Sequence, residues 1–77
     1  MNVIVYTRQD CPLCSTGIAV AEDVFGADHV TLVDIDLDLV LMERYTERVP
    51  VVETVDGTVI DEGIIEEATL RAFSFRR

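Results

Sequence analysis

The sequence predicts one α/β domain with the element order β-α-β-α-β-β-α and a four-stranded mixed sheet flanked by helices. Three observations support this fold class. An apolar, β-branched run near the start of the chain is followed directly by a helix-like periodicity. A second strand-like run comes next, which completes a βαβ unit with parallel strands. Later in the chain, two β-rich runs are joined by Asp-Gly, a pair typical of β-hairpins.

The first half of the chain supplies the βαβ unit. Val3 to Tyr6 is a continuous apolar run, which predicts a central strand covered on both faces. Pro12 stands at the expected first helical position, where a missing N–H loses no partner. Apolar residues then recur at helical spacing until Gly26, a typical helix stop, and Val30 to Ile35 is the second predicted strand. The helix carries a wide apolar stripe of two columns: Cys14, Ile18, Ala21 and Phe25, and Leu13, Gly17, Val20 and Val24.

A short second helix is predicted from about Leu39 to Thr46. Either Asp36 or Asp38 is expected to cap it by accepting its first free N–H groups. Pro50 ends any helix that precedes it. One side of this helix is expected to carry Leu37, Leu41 and Tyr45.

The last third of the chain predicts a hairpin and a helix. The strands are expected at Val51 to Val55 and Thr58 to Asp61, with Asp56-Gly57 as a two-residue turn. A final helix is expected from Ile64 to about Phe73. Its charges suit the helix dipole at both ends: Glu66 and Glu67 in the first turn, and Arg71, Arg76 and Arg77 towards the end.

Length and charge narrow the possible functions. The 77 residues predict a single domain over 1–77, with a small core, and we expect a monomer. The net charge of −9 argues against nucleic acid and anionic membranes as partners. The opening apolar run is shorter than the core of a signal peptide, and no run approaches the roughly 20 apolar residues of a membrane span. These features predict a cytoplasmic protein.

Cys11 and Cys14 are the two cysteines of the chain, and they stand between the first strand and the first helix as Cys-Pro-Leu-Cys. This placement puts Cys11 at a helix N-terminus and Cys14 one turn further in. Unpaired backbone N–H groups and the positive end of the helix dipole favour a thiolate there. Because a thiolate is the form that attacks disulfides, the motif predicts a redox-active dithiol. In a reducing compartment such a pair is more often catalytic or metal-binding than structural.

A metal-binding module is the first alternative. Two cysteines supply half of a typical four-ligand zinc site, and His29 is a single further candidate in a connector between helix and strand. One chain alone cannot form a tetrathiolate site. Two copies of the chain can share zinc or an iron–sulfur cluster through their cysteine pairs, so this alternative remains open.

The order of these motifs resembles a glutaredoxin-type member of the thioredoxin-fold superfamily, and most closely the small bacterial glutaredoxin-like proteins. The resemblance covers nearly the whole chain. It rests on the Cys-Pro-x-Cys motif after the first strand, on Val-Pro-Val before the hairpin and on the Asp-Gly turn. The matching stretches are Tyr6 to Cys14, Val33 to Asp36, Leu41 to Tyr45 and Arg48 to Val51.

The resemblance implies a thioredoxin-like fold and an enzyme of electron transport that reduces protein or low-molecular-weight disulfides. Cys11 is then the nucleophile, and Cys14 is the resolving thiol. Pro50 is implied to be a cis-proline that faces the dithiol, and Val49 to offer its backbone N–H and C=O to the substrate. The residues implied to contact substrate are Arg8, Pro12, Leu13, Val49 and Pro50.

The resemblance also implies glutathione as electron donor, but the start of the last helix departs from the family pattern. Glutaredoxins that use glutathione receive a carboxylate at a Gly-rich turn there. Here that stretch carries four acids, which disfavour a bound anion. A protein reductase or a protein disulfide partner therefore becomes the more plausible partner. The four acids are Asp61, Glu62, Glu66 and Glu67.

Two residues just before the motif have opposite expected effects. For Arg8 there are two interpretations: it stabilises a Cys11 thiolate or a substrate carboxylate, or it is a solvated loop residue. Asp10 opposes the thiolate. The run from Val3 to Val5 is apolar and offers Cys14 no buried carboxylate as a base, which favours a glutaredoxin-like mechanism over a thioredoxin-like one. A last alternative is a non-catalytic domain of the same fold that binds a basic partner through its acidic surface.

Overall fold

A computed structural model describes residues 1–75. Arg76 and Arg77, which are predicted near the end of the last helix, lie outside the described residues. The predicted order of elements is confirmed. Two short 3-10 turns, Ala27–His29 and Ile35–Leu37, flank the second strand. The strands and helices are β1 (Val3–Thr7), α1 (Pro12–Phe25), β2 (Val30–Asp34), α2 (Leu39–Tyr45), β3 (Val51–Thr54), β4 (Val59–Glu62) and α3 (Glu67–Ser74).

The sheet is mixed and has the strand order β2-β1-β3-β4. β1 pairs with β2 in parallel and with β3 in antiparallel, and β3 and β4 form the predicted hairpin. The prediction of a central first strand is therefore confirmed. β1 is apolar along nearly its whole length because β2 and β3 occupy both of its edges and helices cover both of its faces.

Side chains alternate between the two faces of the sheet, and each face packs against different helices. Val5 and Val52 lie on one face with Ala21 of α1 and Leu70 of α3. On the other face, Val51 packs with Tyr45 of α2. None of the helices within residues 1–75 is both long and apolar enough to cross a membrane.

The strand directions bring the starts of all three helices to one edge of the sheet. β1, β2 and β4 run in the same direction, and each is followed by a helix. β3 runs the opposite way and therefore begins where the other three strands end. We call this the helix-start edge. It carries the loops that precede α1, α2 and α3, together with the loop that leads into β3.

The last helix begins three residues later than predicted, at Glu67 instead of Ile64. Gly63 has a positive φ of 77°, which helical backbone does not adopt. Ile65 is buried in the core, and Glu66 has extended backbone angles. Ile65 thus reaches the core from an extended segment.

The hairpin loop is longer than the predicted two-residue turn. Val55–Thr58 separates the strands, and the register shifts between Val52 and Glu53. Side-chain hydrogen bonds hold this loop, since the Thr58 N–H donates to Thr54 Oγ1 and to the Asp56 carboxylate.

Two leucines predicted on apolar faces are exposed. Leu37 was expected on the same side as Tyr45, but the 3-10 turn buries Ile35 and directs Leu37 outwards, leaving it 84% exposed. Leu13 lies in the first turn of α1, beyond the packed part of the stripe, and is 49% exposed. β2 also ends one residue earlier than predicted, at Asp34, because Ile35 begins that 3-10 turn.

A buried polar pair lies between α2 and the sheet. The Tyr45 hydroxyl donates a hydrogen bond to the carboxylate of Glu53, which is 6% exposed. The Tyr45 ring stacks on Tyr6, with 4.3 Å between ring centroids. Burial, and then the hydrogen bond to Glu53, raise the pKa of Tyr45 to about 12. The pair fixes α2 on the sheet because a buried carboxylate without a donor is costly.

We expect Tyr45→Phe to lower the free energy of unfolding at neutral pH by about 1–3 kcal/mol, because it leaves the buried Glu53 carboxylate without its donor. In the wild type, stability should be fully present below pH 10 and should fall as the pH rises towards about 12, since folding favours the neutral phenol. Urea unfolding across this pH range measures both effects.

Tyr6→Phe is the matched control, because it also removes one phenol hydroxyl and keeps the stacked ring. It should retain the alkaline loss of stability that Tyr45→Phe lacks. Equal free energies of unfolding for the two variants, at neutral pH and at alkaline pH, would contradict this role for the pair.

Candidate active site

The two cysteines lie at the helix-start edge, at the beginning of α1. β1 ends at Thr7, and Cys11 is the N-cap of α1 with Pro12 as the first helical residue. Asp10 turns the chain into the helix with a positive φ of 57°, a conformation that Asp adopts more readily than most residues. Cys11 and Cys14 form a disulfide, and their Cα atoms are 5.2 Å apart. This spacing lies within the range that a disulfide spans without backbone movement.

The two sulfur atoms have different surroundings. Cys11 is partly exposed, whereas Cys14 is 2% exposed and packed into the protein. The Cys14 N–H donates to Cys11 Sγ over 3.2 Å, and α1 directs its N-terminus at the same atom. Both interactions stabilise negative charge on the Cys11 sulfur. The site therefore presents one accessible sulfur next to a shielded one.

Pro50 lies against Gly17 in the second turn of α1, and its peptide bond with Val49 is cis. A Cβ atom at Gly17, one turn after Cys14, would come within 3.0 Å of Pro50 Cγ and 2.8 Å of Ile65 Cγ1. Gly17 thus allows α1, the loop before β3 and the segment before α3 to meet. The structure thus places Pro50 beside the helix that begins after Cys11.

The backbone around Pro50 is held on both sides. The Val49 N–H donates to the Tyr45 carbonyl over 3.2 Å, and the Pro50 carbonyl accepts the Gly63 N–H over 2.8 Å. The Val49 N–H that was expected to be free for substrate is therefore already used. Its carbonyl is the remaining group for pairing with an extended substrate.

Arg8 forms an ion pair with Asp36. Its Nη2 lies 2.8 Å from Asp36 Oδ1, and its Nε lies 3.4 Å from Oδ2. This pair links the loop before Cys11 to the 3-10 turn after β2. Arg8 is thus neither an unpaired solvated residue nor a free cation beside Cys11. The same geometry decides between the two capping candidates: Asp36 pairs with Arg8, and Asp38 caps α2.

A second ion pair, not predicted from the sequence, adjoins the Pro50 loop. Arg48 donates to both carboxylate oxygens of Glu62, over 3.0 and 3.1 Å. These hydrogen bonds lower the pKa of Glu62 below its usual value. Arg48 lies in the loop that leads into β3, and Glu62 ends β4, where it pairs with Val51 at the start of β3. The predicted hairpin already pairs Val51 with Glu62, but it does not place Arg48, which lies three residues before β3.

The start of α3 is occupied by one of the chain's own carboxylates. Asp61 Oδ2 accepts the Glu66 N–H and Asp61 Oδ1 accepts the Glu62 N–H, both over 2.9 Å. Of these two donors, the Glu66 N–H belongs to the N-cap residue of α3, whereas the Glu62 N–H lies in β4.

Within residues 1–75 there is no group of three or more His, Cys, Asp or Glu side chains arranged to hold a metal. The His29 ring nitrogen Nδ1 is 2.9 Å from the Asn2 side-chain oxygen. Asn2 precedes β1 and His29 precedes β2, so both lie at the sheet edge opposite the cysteines.

The chain is similar to known proteins in both sequence and fold. The model of a family described as "Glutaredoxin-like domain (DUF836)" matches residues 2–73. A solved structure described as the X-ray structure of Northeast Structural Genomics target protein XcR50 from X. campestris has 29% sequence identity and a TM-score of 0.81. The similarity covers 94% of this chain and 93% of that chain. No curated protein matches the sequence.

We expect Gly17→Ala to lower both the stability and the rate of disulfide exchange, because the new methyl group overlaps Ile65 and Pro50. Overpacking costs about 1–3 kcal/mol, offset by about 0.5–1 kcal/mol from the better helix former. Urea unfolding and the rate of exchange with a small disulfide measure the two effects. Ser15→Ala, at an exposed position of the same helix, is the control and should alter neither.

We expect Asp36→Asn to raise the thiolate fraction of reduced Cys11, because it leaves the Arg8 guanidinium without its carboxylate in the loop before the cysteine. Arg8→Gln should instead lower the thiolate fraction, since it leaves the Asp36 carboxylate without its guanidinium. The pH profile of Cys11 alkylation by iodoacetamide, in the Cys14→Ser background, measures both. A shift in the same direction with Arg8→Gln and with Asp36→Asn would contradict this reasoning.

Proposed function

Since the chain belongs to the glutaredoxin-like domain family, we propose that it is a dithiol–disulfide oxidoreductase that works through Cys11 and Cys14. The family and the close cysteine pair support a thiol-redox role, and the fold is thioredoxin-like. The observation that carries the proposal is the asymmetry of the pair, with one sulfur accessible at a helix N-terminus and the other buried.

The proposed reaction begins with the reduced protein. The Cys11 thiolate attacks one sulfur of a substrate disulfide, forms a mixed disulfide and releases the other substrate sulfur as a thiolate, which takes up a proton. The deprotonated Cys14 sulfur then attacks Cys11 Sγ. This step releases the second substrate thiol and closes the Cys11–Cys14 disulfide. Two electrons have then passed from the protein to the substrate.

The surroundings of each sulfur suit these roles. Cys11 is accessible to an incoming disulfide, and the Cys14 N–H and the start of α1 stabilise its thiolate. Cys14 is shielded from solvent, so its natural target is the neighbouring Cys11 sulfur and not an external molecule. The 5.2 Å between their Cα atoms allows the disulfide to close without a backbone rearrangement.

Substrate is proposed to lie against Pro12, Leu13 and Val49, whereas the side chain of Pro50 is fully buried and supports the site from within the protein. Pro12 and Leu13 are exposed beside Cys11, and the Val49 carbonyl remains available for one hydrogen bond to an extended segment. The Arg8 guanidinium acts here through Asp36, by holding the loop before Cys11, and not by direct contact with substrate.

A protein disulfide is proposed as substrate, and a protein reductase as electron donor, in preference to glutathione. The Asp61 carboxylate accepts the N–H of Glu66, the N-cap residue of α3, and so places a negative charge where a glutathione carboxylate would have to bind. Arg8 is likewise engaged by a carboxylate of the chain itself. We also propose a cytoplasmic location, because a reducing compartment keeps such a dithiol in the reduced form that attacks disulfides.

The test is to trap the intermediate. Reduced Cys14→Ser protein, mixed with a small disulfide, should accumulate a mixed disulfide at Cys11, seen as an added half-molecule in the intact mass. The wild type should instead lose two hydrogens as its own disulfide closes. Cys11→Ser should form no adduct, because its remaining thiol is buried.

Two results would change the proposal. An adduct on Cys11→Ser, with none on Cys14→Ser, would show that the roles of the two cysteines are reversed. A reduced wild type that exchanges with no disulfide, at any ratio of thiol to disulfide in the buffer, would overturn the oxidoreductase function.

A further inference from the structure

Three large apolar side chains within four consecutive residues are exposed where the 3-10 turn leads into α2. Leu37 is 84% exposed, Leu39 is 81% exposed and Val40 is 66% exposed. We call these three residues the apolar patch. In α1 and α3, by contrast, most of the large apolar side chains pack into the core. Exposed apolar surface of this kind often marks a binding site.

The patch lies at the same edge of the sheet as the cysteines. β2 runs parallel to β1 beside it, so the chain segments that leave the two strands emerge next to each other. The Arg8–Asp36 ion pair joins these two segments directly, and Asp36 is the residue before Leu37. The patch is therefore attached to the loop that carries Cys11.

Further apolar residues are exposed on the other side of the dithiol. Leu13 follows Cys11 by two residues and is 49% exposed. Ile64 is 71% exposed and follows Gly63, whose N–H donates to the Pro50 carbonyl. A macromolecule whose disulfide reaches Cys11 must lie against this edge of the sheet, where it would cover apolar side chains on both sides of the sulfur.

The charges around the patch indicate which kind of partner fits. Asp36 and Asp38 alternate with the patch residues and are exposed. Asp38 is fixed by hydrogen bonds from the Val40 and Leu41 N–H groups, so its charge is held beside the patch. Arg8 neutralises Asp36 but not Asp38. The whole chain carries a net charge of −9, which attracts a cationic partner over a longer range.

We propose that the apolar patch docks a protein substrate whose disulfide is flanked by apolar and basic residues. The inference rests on the proposed function and specifies its substrate class. Leu37, Leu39 and Val40 bind the apolar side chains of the substrate, and the neighbouring carboxylates select its positive charge. A small disulfide is too short to reach both the patch and Cys11, so its reduction does not depend on the patch.

The experiment compares rates of oxidation of the reduced protein by three disulfides. One is a synthetic peptide with an internal disulfide flanked by Leu and Arg, one is the same peptide with Glu in place of Arg, and one is bis(2-hydroxyethyl) disulfide. The double variant Leu37→Ser/Leu39→Ser should react about tenfold more slowly with the Arg peptide, because truncating central docking side chains weakens binding on this scale. Its rate with the small disulfide should equal that of the wild type.

Val55→Ser is the matched control, since Val55 is 70% exposed but lies on the β3–β4 loop at the opposite edge of the sheet. It should react like the wild type with all three disulfides. The wild type should prefer the Arg peptide to the Glu peptide, and this preference should shrink as salt is added, because salt screens the attraction.

Three outcomes would overturn the docking role. The first is equal rates of the double variant and the wild type with the Arg peptide. The second is an equal loss of rate with the peptide and with the small disulfide, which would show that the substitutions act on the dithiol itself. The third is a wild type that prefers the Glu peptide. A wild type that exchanges with none of the three disulfides would overturn the proposed function as well.

Discussion

The central position of β1 determines where the chemistry of this protein lies. β1 is bonded to β2 on one side and to β3 on the other, and helices cover both of its faces, so the strand cannot shift without disrupting the whole core. Its C-terminal end is consequently a fixed point, and the loop that follows it delivers Cys11 to the N-terminus of α1. The same strand order brings the start of β3, and with it Pro50, to that edge. The dithiol is thus positioned by a central strand of the sheet, although the cysteines themselves lie outside the sheet.

Ion pairs and backbone hydrogen bonds complete the site around this fixed point. Arg8–Asp36 holds the loop before Cys11, and Arg48–Glu62 holds the loop before Pro50. Each guanidinium is neutralised by its carboxylate, so the electrostatic support for a Cys11 thiolate comes mainly from backbone N–H groups and from the dipole of α1. Exposed ion pairs contribute little to global stability, and their importance here is local, in restricting two loops that flank the reacting sulfur.

Local patterns in the sequence predicted most of the fold, because they reflect interactions between residues close in the chain. The apolar run of β1, the proline at the start of α1 and the cysteine spacing all fall in this class. Contacts between distant residues were not predictable in the same way. Arg8 and Asp36 are 28 positions apart, and Tyr45 reaches Glu53 only because α2 folds over β3. The late start of α3 escaped prediction because Ile64 and Ile65 continue an apolar pattern that the core uses in extended form.

Oxidative damage to the site is expected to begin at Cys11, because Cys14 is buried. A peroxide that enters the site meets the accessible Cys11 thiolate first and converts it to a sulfenic acid, with the second peroxide oxygen leaving as water or hydroxide. Further oxidation of a sulfenic acid leads to sulfinic and sulfonic acids, which thiols do not reverse. Here the Cys14 sulfur is close enough to condense with the sulfenic acid, releasing water and forming the disulfide. The shielded second thiol therefore protects the exposed one from irreversible loss.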